Sequence, residues 1–283
     1  MRILVTGGTG YIGSTAVEVL ISQGFEISIL DDCSMGHADT VPAGVRFIEG
    51  SLLNEAQVAD ALTGCDAVMN FAGKSLVGES VEKPDLYQSV NVDGTRILLD
   101  QMRKQVIRKI VFSSSAATYG EPKTVPILET ADTQPTNPYG ATKLAIDHMI
   151  TQEAAKYAIS GASLRYFNVA GADPLCRTGQ STIGATHLLK IAVEAALGKR
   201  ASVSIFGTDY ATEDGTGVRD YIHVSDLASA HVIALEALVA DPDRSHTLNC
   251  GYGHGYSVMQ VLDAVDRVTN NKLDRKMEGR RAG

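Results

Sequence analysis

Tyr139 and Lys143 stand four residues apart in Asn137-Pro138-Tyr139-Gly140-Ala141-Thr142-Lys143, so both fall on one face of a helix. A phenol acts as a general base when a neighbouring ammonium and a cationic ring stabilise its phenolate, because opposite charge lowers a pKa that is ordinarily about 10. Ser115, just past the apolar run 109–113, can hydrogen-bond a reacting hydroxyl and relay its proton. Lys143 can serve twice, as that ammonium and as a donor to a ribose hydroxyl. On spacing alone Tyr-x-x-x-Lys also describes a surface pair, so its chemical meaning depends on what else the chain carries.

The segment Thr6-Gly7-Gly8-Thr9-Gly10-Tyr11-Ile12-Gly13 puts Gly7, Gly10 and Gly13 at GxxGxxG spacing between a strand pattern and a helix pattern. Gly7 permits a sharp turn, Gly10 lets backbone approach a pyrophosphate, and Gly13 allows close packing of a helix whose N-terminus presents amide donors to an anion. This reads as a dinucleotide site. Asp31, 18 residues after Gly13 at the end of the second strand pattern, can accept hydrogen bonds from ribose hydroxyls. Asp31 and Asp32 would repel a 2′-phosphate, and residues 33–36 hold no arginine to offset that, so the expected cofactor is NAD rather than NADP. The alternative, that these aspartates only cap or solvate a loop, weighs more heavily for Asp32.

No Ser-His-Asp arrangement competes, and no metal is expected. His148 lies five residues past Lys143 and points elsewhere on the helix. Cys33, Cys65, Cys176 and Cys250 are dispersed without metal-ligand spacing, and Met1-Arg2 leads directly into a strand pattern, so a reducing, cytoplasmic setting is expected. With 25 Lys and Arg against 33 Asp and Glu, the net charge of -8 offers no general attraction for nucleic acid. No apolar run reaches the roughly 20 residues of a membrane span, so no membrane association is expected.

The elements that must position these residues alternate. A strand at 2–6, the turn 7–13, a helix to Gln23 and a strand at 25–30 make a parallel β-α-β start. Strands follow at 46–48 and 67–71 with a helix at 54–62 between them, then a glycine-containing loop and a helix at 85–103. A strand at 109–113, the Pro-rich stretch 122–138, a helix from Tyr139 and a strand at 163–166 complete the regular part. Beyond Gly171 the pattern loosens: a helix at 185–197, a strand at 202–206, a Gly/Asp-rich loop at 208–217, an amphipathic helix within 223–238, and a short strand at 247–250 able to return to the main sheet. The 283 residues, 44% hydrophobic, thus predict an α/β chain: a Rossmann-type parallel sheet with a smaller, partly discontinuous α/β substrate domain. The expected division is 1–170 for the NAD-binding domain and 171–283 for a mainly substrate-binding domain, with segments near 223–250 returning to the first.

Over essentially its whole length the chain resembles the UDP-hexose 4-epimerases of the extended short-chain dehydrogenase/reductase family of nucleotide-sugar enzymes. The resemblance rests on 6–13, Asp31-Asp32, Phe71-Ala72-Gly73 with Val77-Gly78-Glu79-Ser80, 113–120, 139–143, 165–173, Phe206-Gly207 and 213–224. The last stretch, with Asp214-Gly215-Thr216-Gly217-Val218-Arg219-Asp220-Tyr221-Ile222-His223-Val224, is far more specific than the glycine fingerprint. The resemblance implies Ser115, Tyr139 and Lys143 as catalytic residues. It implies NAD contacts from Gly7, Gly10, Tyr11, Ile12, Gly13, Asp31, Asp32, Ser51, Leu52, Phe71, Ala72, Gly73, Asn91, Ser113, Tyr139, Lys143 and Tyr166. Substrate contacts are implied for Ser115, Tyr139, Asn168, His187, Leu188, Phe206, Arg219 and Arg281, the two arginines facing a diphosphate. The implied reaction interconverts UDP-galactose and UDP-glucose through a transient 4-keto-hexose, and a homodimer is implied through helices 85–103 and 139–156.

The chain departs from the family's pattern at several positions. Ser51 replaces an Asp that binds the adenine amino group, Asn70 replaces a His, and Lys74-Ser75 occupies a variable loop. His187 stands where many relatives have Asn, so packing is an alternative to contact, as a salt bridge to Asp220 is for Arg219 and solvation is for Arg281. Relatives continue past Gly283, so the resemblance implies a shortened C-terminus that leaves the sugar pocket open at the rear. Ala116-Ala117 stand where 4,6-dehydratases place an Asp-Glu pair, which weighs against dehydration. Two alternatives stay open: 4-epimerisation of UDP-glucuronate or a UDP-N-acetylhexosamine, and a catalytically poor NAD-binding regulatory protein.

Overall fold

The computed structural model describes residues 1–182, 184 and 186–280. The chain runs β1 (Arg2–Thr6), α1 (Tyr11–Ser22), β2 (Glu26–Asp31), β3 (Arg46–Glu49), α2 (Glu55–Leu62), β4 (Ala67–Asn70), α3 (Val77–Glu82), α4 (Pro84–Tyr87), α5 (Gly94–Lys104), β5 (Lys109–Ser113), α6 (Pro138–Tyr157) and β6 (Ser160–Tyr166). It continues as β7 (Asn168–Ala170), α7 (Leu188–Ala196), β8 (Val203–Phe206), β9 (Val218–His223), α8 (Val224–Ala240), β10 (His246–Cys250), β11 (Gly255–Ser257), α9 (Val258–Thr269) and β12 (Arg275–Glu278).

Strands covered on both faces must be apolar on both, and β1 shows the rule. Ile3 and Val5 point into one core with Val17 and Leu20 of α1 and Leu227 and Leu235 of α8. Leu4 points into a second core with residues of α2, α5 and α6. Among the described residues, seven parallel strands form the sheet so enclosed, in the order β3-β2-β1-β4-β5-β6-β10. Strand order reverses between β1 and β4, and a crevice at the carboxyl ends of such strands is where an open α/β sheet binds its ligand.

The strand expected at 247–250 does join this sheet, paired along β6 from His246 to Cys250. The helix expected at 85–103 is interrupted: α4 and α5 flank a π-helical stretch, Gln88–Asp93. Outside the main sheet, β7, β9 and β11 form a three-stranded sheet and β8 pairs with β12. A third core of Ala192, Val203, Ile205, Leu262 and Val265 joins α7, β8 and α9. Of these strands only β8 is foreseen; β7, β11 and β12 are short, and they and the longer β9 are largely exposed or half-exposed, so they lack the apolar alternation that marks a strand. Helix α9 was not foreseen, although Ser257 and Gln260 form a capping box at its start. Among the described residues, no helix is long and apolar enough to cross a membrane.

Candidate active site

The glycine loop between β1 and α1 is built by close approach. Gly7 has φ +71°, and a Cβ there would lie 2.6 Å from the amide nitrogen of Ala72. A Cβ on Gly13 would overlap the Gly7 carbonyl oxygen. Gly10 differs: its nearest neighbour is the same oxygen at 3.4 Å, an ordinary contact, so its bare face is open to a ligand rather than filled by protein. Gly7 and Gly13 therefore shape the cradle and Gly10 leaves it accessible. The start of α1 lies directly behind, with Tyr11 and Ile12 in its first turn.

Asp31 ends β2 and is almost fully buried. Its Oδ2 accepts from Thr9 N of the glycine loop and its Oδ1 from Cys33 N, both at 2.9 Å. The carboxylate is thus fixed against the loop with acceptor capacity left over, as a ribose partner requires. Thr9, absent from the expected set, is what fixes it. Asp32 accepts from Ser34 N at 2.9 Å and is exposed, a local turn of the kind weighed above. The Ser51 hydroxyl accepts from Leu53 N, so it shapes its own turn, while Leu52 is buried.

Helix α6 is started by Asn137, whose Oδ1 accepts from Gly140 N at 2.8 Å, with Pro138 at its first position. A Cβ on Gly140 would sit 2.5 Å from the Ala117 carbonyl oxygen. That glycine lets α6 press against the turn after β5, bringing Tyr139 to Ser115. Tyr139 is 8% exposed, Ser115 8% and Lys143 5%. Burial raises the Tyr139 pKa and the Ser115 hydroxyl opposes the rise. Ser115 Oγ accepts from Ala117 N at 3.1 Å, which leaves its O–H to donate elsewhere. Lys143 Nζ donates to Ser113 O at 2.8 Å and lies 5.8 Å from the centre of the Tyr139 ring. Burial pulls the lysine down to about 8, against the pull of Asp147 one turn further along α6. Asp147 Oδ2 in turn accepts from Arg165 Nε at 3.0 Å. His148 is exposed, as its place on the helix predicts.

The cleft's other wall follows β4. Gly73 has φ +151° and its missing Cβ accommodates Asn91. Asn91, in the π-helical stretch, accepts from Lys74 N at 2.8 Å and donates to Lys74 O and Thr142 Oγ1, each at 3.1 Å. Its amide ties the 73–74 loop to α6, and the widened helical turn presents it there. Asn70 is structural, accepting from Thr6 Oγ1 at 2.7 Å. Ser113 Oγ and Tyr166 Oη share a hydrogen bond of 2.8 Å, and burial raises the Tyr166 pKa. Sequence reasoning passed over His231 of α8. Its ring packs against Phe71 at 4.7 Å between centroids, and burial holds its pKa down to about 4. Ala72 follows Phe71 in the same wall.

The other residues expected to face a substrate come from the elements that follow β6. Asn168 opens β7, His187 caps α7 with Leu188 next to it, Phe206 ends β8 and Arg219 lies in β9. Arg219 Nη1 donates to Val218 O at 2.7 Å; Asp220 instead accepts from the backbone amides of Tyr252 and Gly253. Arg281 lies outside the described residues. No group of three metal-ligating side chains occurs among the described residues.

The glycine cradle, the carboxylate held at the end of β2, and a Tyr-Lys-Ser group at the end of β5 together fit NAD and a hydroxyl to be oxidised beside it. The chain is similar to known proteins over its whole length. The NAD dependent epimerase/dehydratase family matches residues 3–251. The UDP-glucose 4-epimerase of Corynebacterium glutamicum is 48% identical over 283 residues, covering 100% of this chain and 85% of that protein. A crystal structure of UDP-glucose 4-epimerase from Brucella ovis in complex with NAD superposes with a TM-score of 0.95 at 40% identity, over 100% of this chain and 87% of that one. The corresponding structure from Bifidobacterium longum in complex with NAD+ and UDP gives 0.93 at 35% identity, over 100% and 88%.

Proposed function

The chain belongs to the NAD dependent epimerase/dehydratase family, and from that membership and the geometry above we propose that it interconverts UDP-galactose and UDP-glucose with NAD, through a transient 4-keto-hexose. The observation that carries this reading is the convergence of Tyr139, Ser115 and Lys143 beside the glycine cradle. NAD, held by Gly7, Gly10, Gly13, Asp31 and the wall 71–73, supplies hydride acceptance and return at the sugar's C4 carbon. Tyr139 Oη takes the C4 hydroxyl proton, with Ser115 donating to the same oxygen or relaying the proton. Lys143 supplies the positive charge that a buried phenolate needs. Proton and tyrosine are restored when the hydride returns to the opposite face of the sugar, which must turn while its diphosphate stays anchored. Ala116 and Ala117 offer no acid or base to eliminate water, which favours epimerisation over dehydration.

Asp32 and Ser51 act in this reading through the shape of their turns, and Asn91 through the 73–74 loop. Asn168, His187, Leu188, Phe206, Arg219 and Arg281 hold the UDP-hexose, the arginines through planar donor sets suited to phosphate oxygens. Residues 1–170 form the NAD-binding domain and 171–283 the mainly substrate-binding one, with 223–250 returning to the first; a homodimer pairs the helical segments 85–103 and 139–156 with their counterparts. The test is to supply UDP-galactose to the purified protein without added NAD and resolve the sugars by NMR. Formation of UDP-glucose supports the reading; bound NAD with no turnover would leave a regulatory NAD-binding protein in its place.

A further inference from the structure

Helix α1 carries a polar stripe in which Thr15 and Glu18 lie outside the expected NAD contacts and Tyr11 belongs to them. Tyr11, Thr15 and Glu18 recur at helical spacing on one face. Tyr11 Oη donates to Gly171 O at 2.6 Å. Thr15 and Thr178 share a hydrogen bond of 2.9 Å between two buried hydroxyls. Glu18 Oε2 accepts from Arg177 Nη1 at 2.7 Å. All three partners belong to the loop that leaves β7.

That loop is itself tightly closed. Arg177 donates to the Asp173 carboxylate through its backbone N at 3.1 Å and through Nε and Nη2 at 2.8 Å each. The guanidinium holds the Asp173 carboxyl down to about 2, so the pair stays ionised. Asp173 N donates to Thr178 O at 3.0 Å, closing the turn. At the loop's entrance Gly171 has φ +93° and sits where any Cβ would overlap the His223 ring. Past its exit Gln180 Nε2 and His187 Nδ1 lie 2.7 Å apart, and His187 caps α7. Hydrogen bonds therefore tie the helix behind the pyrophosphate cradle to the loop at 171–178, and two residues further along the chain Gln180 meets His187, one of the residues expected at the UDP-hexose. Removing one buried partner of such a bond leaves the other unsatisfied, so the series resists local loosening.

We propose that the α1 stripe and Arg177 form a clasp holding this loop in register with the cofactor cleft, which makes Arg177 and Thr15 positioning residues for UDP-hexose binding. The inference rests on the epimerase reading above for its ligand, and not for its geometry. Neither residue touches the reacting atoms, so their loss acts on binding and not on the chemical step. If NAD at the start of α1 favours the clasped loop, UDP must tighten NAD binding by linkage, since coupling between two sites is reciprocal.

The test uses the full-length NAD-loaded protein, with UDP as the probe, in the wild type, Arg177→Ala and Thr15→Val. UDP affinity is read by calorimetry, kcat and KM with UDP-galactose, and NAD affinity with and without UDP. A coupling at the low end of the usual range predicts UDP affinity weakened about 5- to 10-fold and KM raised in proportion, with kcat within about twofold and UDP no longer tightening NAD binding. Thr15→Val keeps the side-chain volume, so it carries the test if Arg177→Ala does not fold. Unchanged UDP affinity in either folded variant, or a fall in kcat matching the rise in KM, overturns the clasp. A wild type that neither binds UDP nor turns over a UDP-hexose overturns the epimerase reading instead, and is told apart because the variants then have nothing to lose.

Discussion

At the scale of single residues, the site sets two buried groups against their ordinary behaviour. Burial makes Tyr139 a weaker acid and Lys143 a weaker base, so the phenol becomes a usable base only while positive charge stays close to it. Tyr139→Phe is expected to lower kcat by about 10² to 10⁴ while the purified protein keeps its NAD, a split that turnover and bound-nucleotide assays read separately. The lysine also marks stability. Below pH 8 folded and unfolded chains both hold its proton and the burial penalty is present in full; between about 8 and its ordinary 10.5 only the unfolded chain holds it, so stability rises. Lys143→Met lacks this dependence. Its unfolding free energy minus that of the cofactor-free wild type should therefore fall from pH 8 to 10.5 in denaturant titrations; a flat difference would contradict the assignment. Tyr139, Lys143 and Ser115 were legible because their chemistry lies in type and spacing. Thr9 and His231 were not, since an amide that fixes a carboxylate and a ring packed behind Phe71 leave no trace in spacing.

At the scale of elements, close approaches decide what each glycine does. Gly10→Ala meets only an ordinary 3.4 Å contact, so the variant should fold with a thermal midpoint near wild type yet lose bound NAD. Gly13→Ala forces its Cβ into the Gly7 carbonyl and should lose both. Equal losses in the two variants would mean that Gly10 does not face the ligand. Gly140→Ala should push α6 away from Ala117 and lower kcat with NAD retained, which single-turnover assays can resolve. The alternating strands and helices up to β6 were readable from apolar runs and turn residues, boundaries shifting by a few residues. The π-helical stretch was not, because one extra residue per turn hides inside an ordinary helical pattern, although it is what presents Asn91.

At the scale of the whole molecule, the sheet ends with β10, a strand that returns from far along the chain to lie beside β6. The strand and its possible return were foreseen, whereas β7, β9 and β11 are held by partners that no local pattern names. The proposed dimer predicts a mass in solution twice the 30.0 kDa of the chain, and light scattering at assay concentration decides it. The account's central claim is that Tyr139 moves the proton while the C4 hydrogen leaves the sugar and returns without meeting water. UDP-galactose deuterated at C4, incubated in ordinary water without added NAD, measures this directly. The expected product is UDP-glucose that keeps deuterium at C4, with little product from Tyr139→Phe. Loss of the label to water, or undiminished conversion by the variant, would contradict the account.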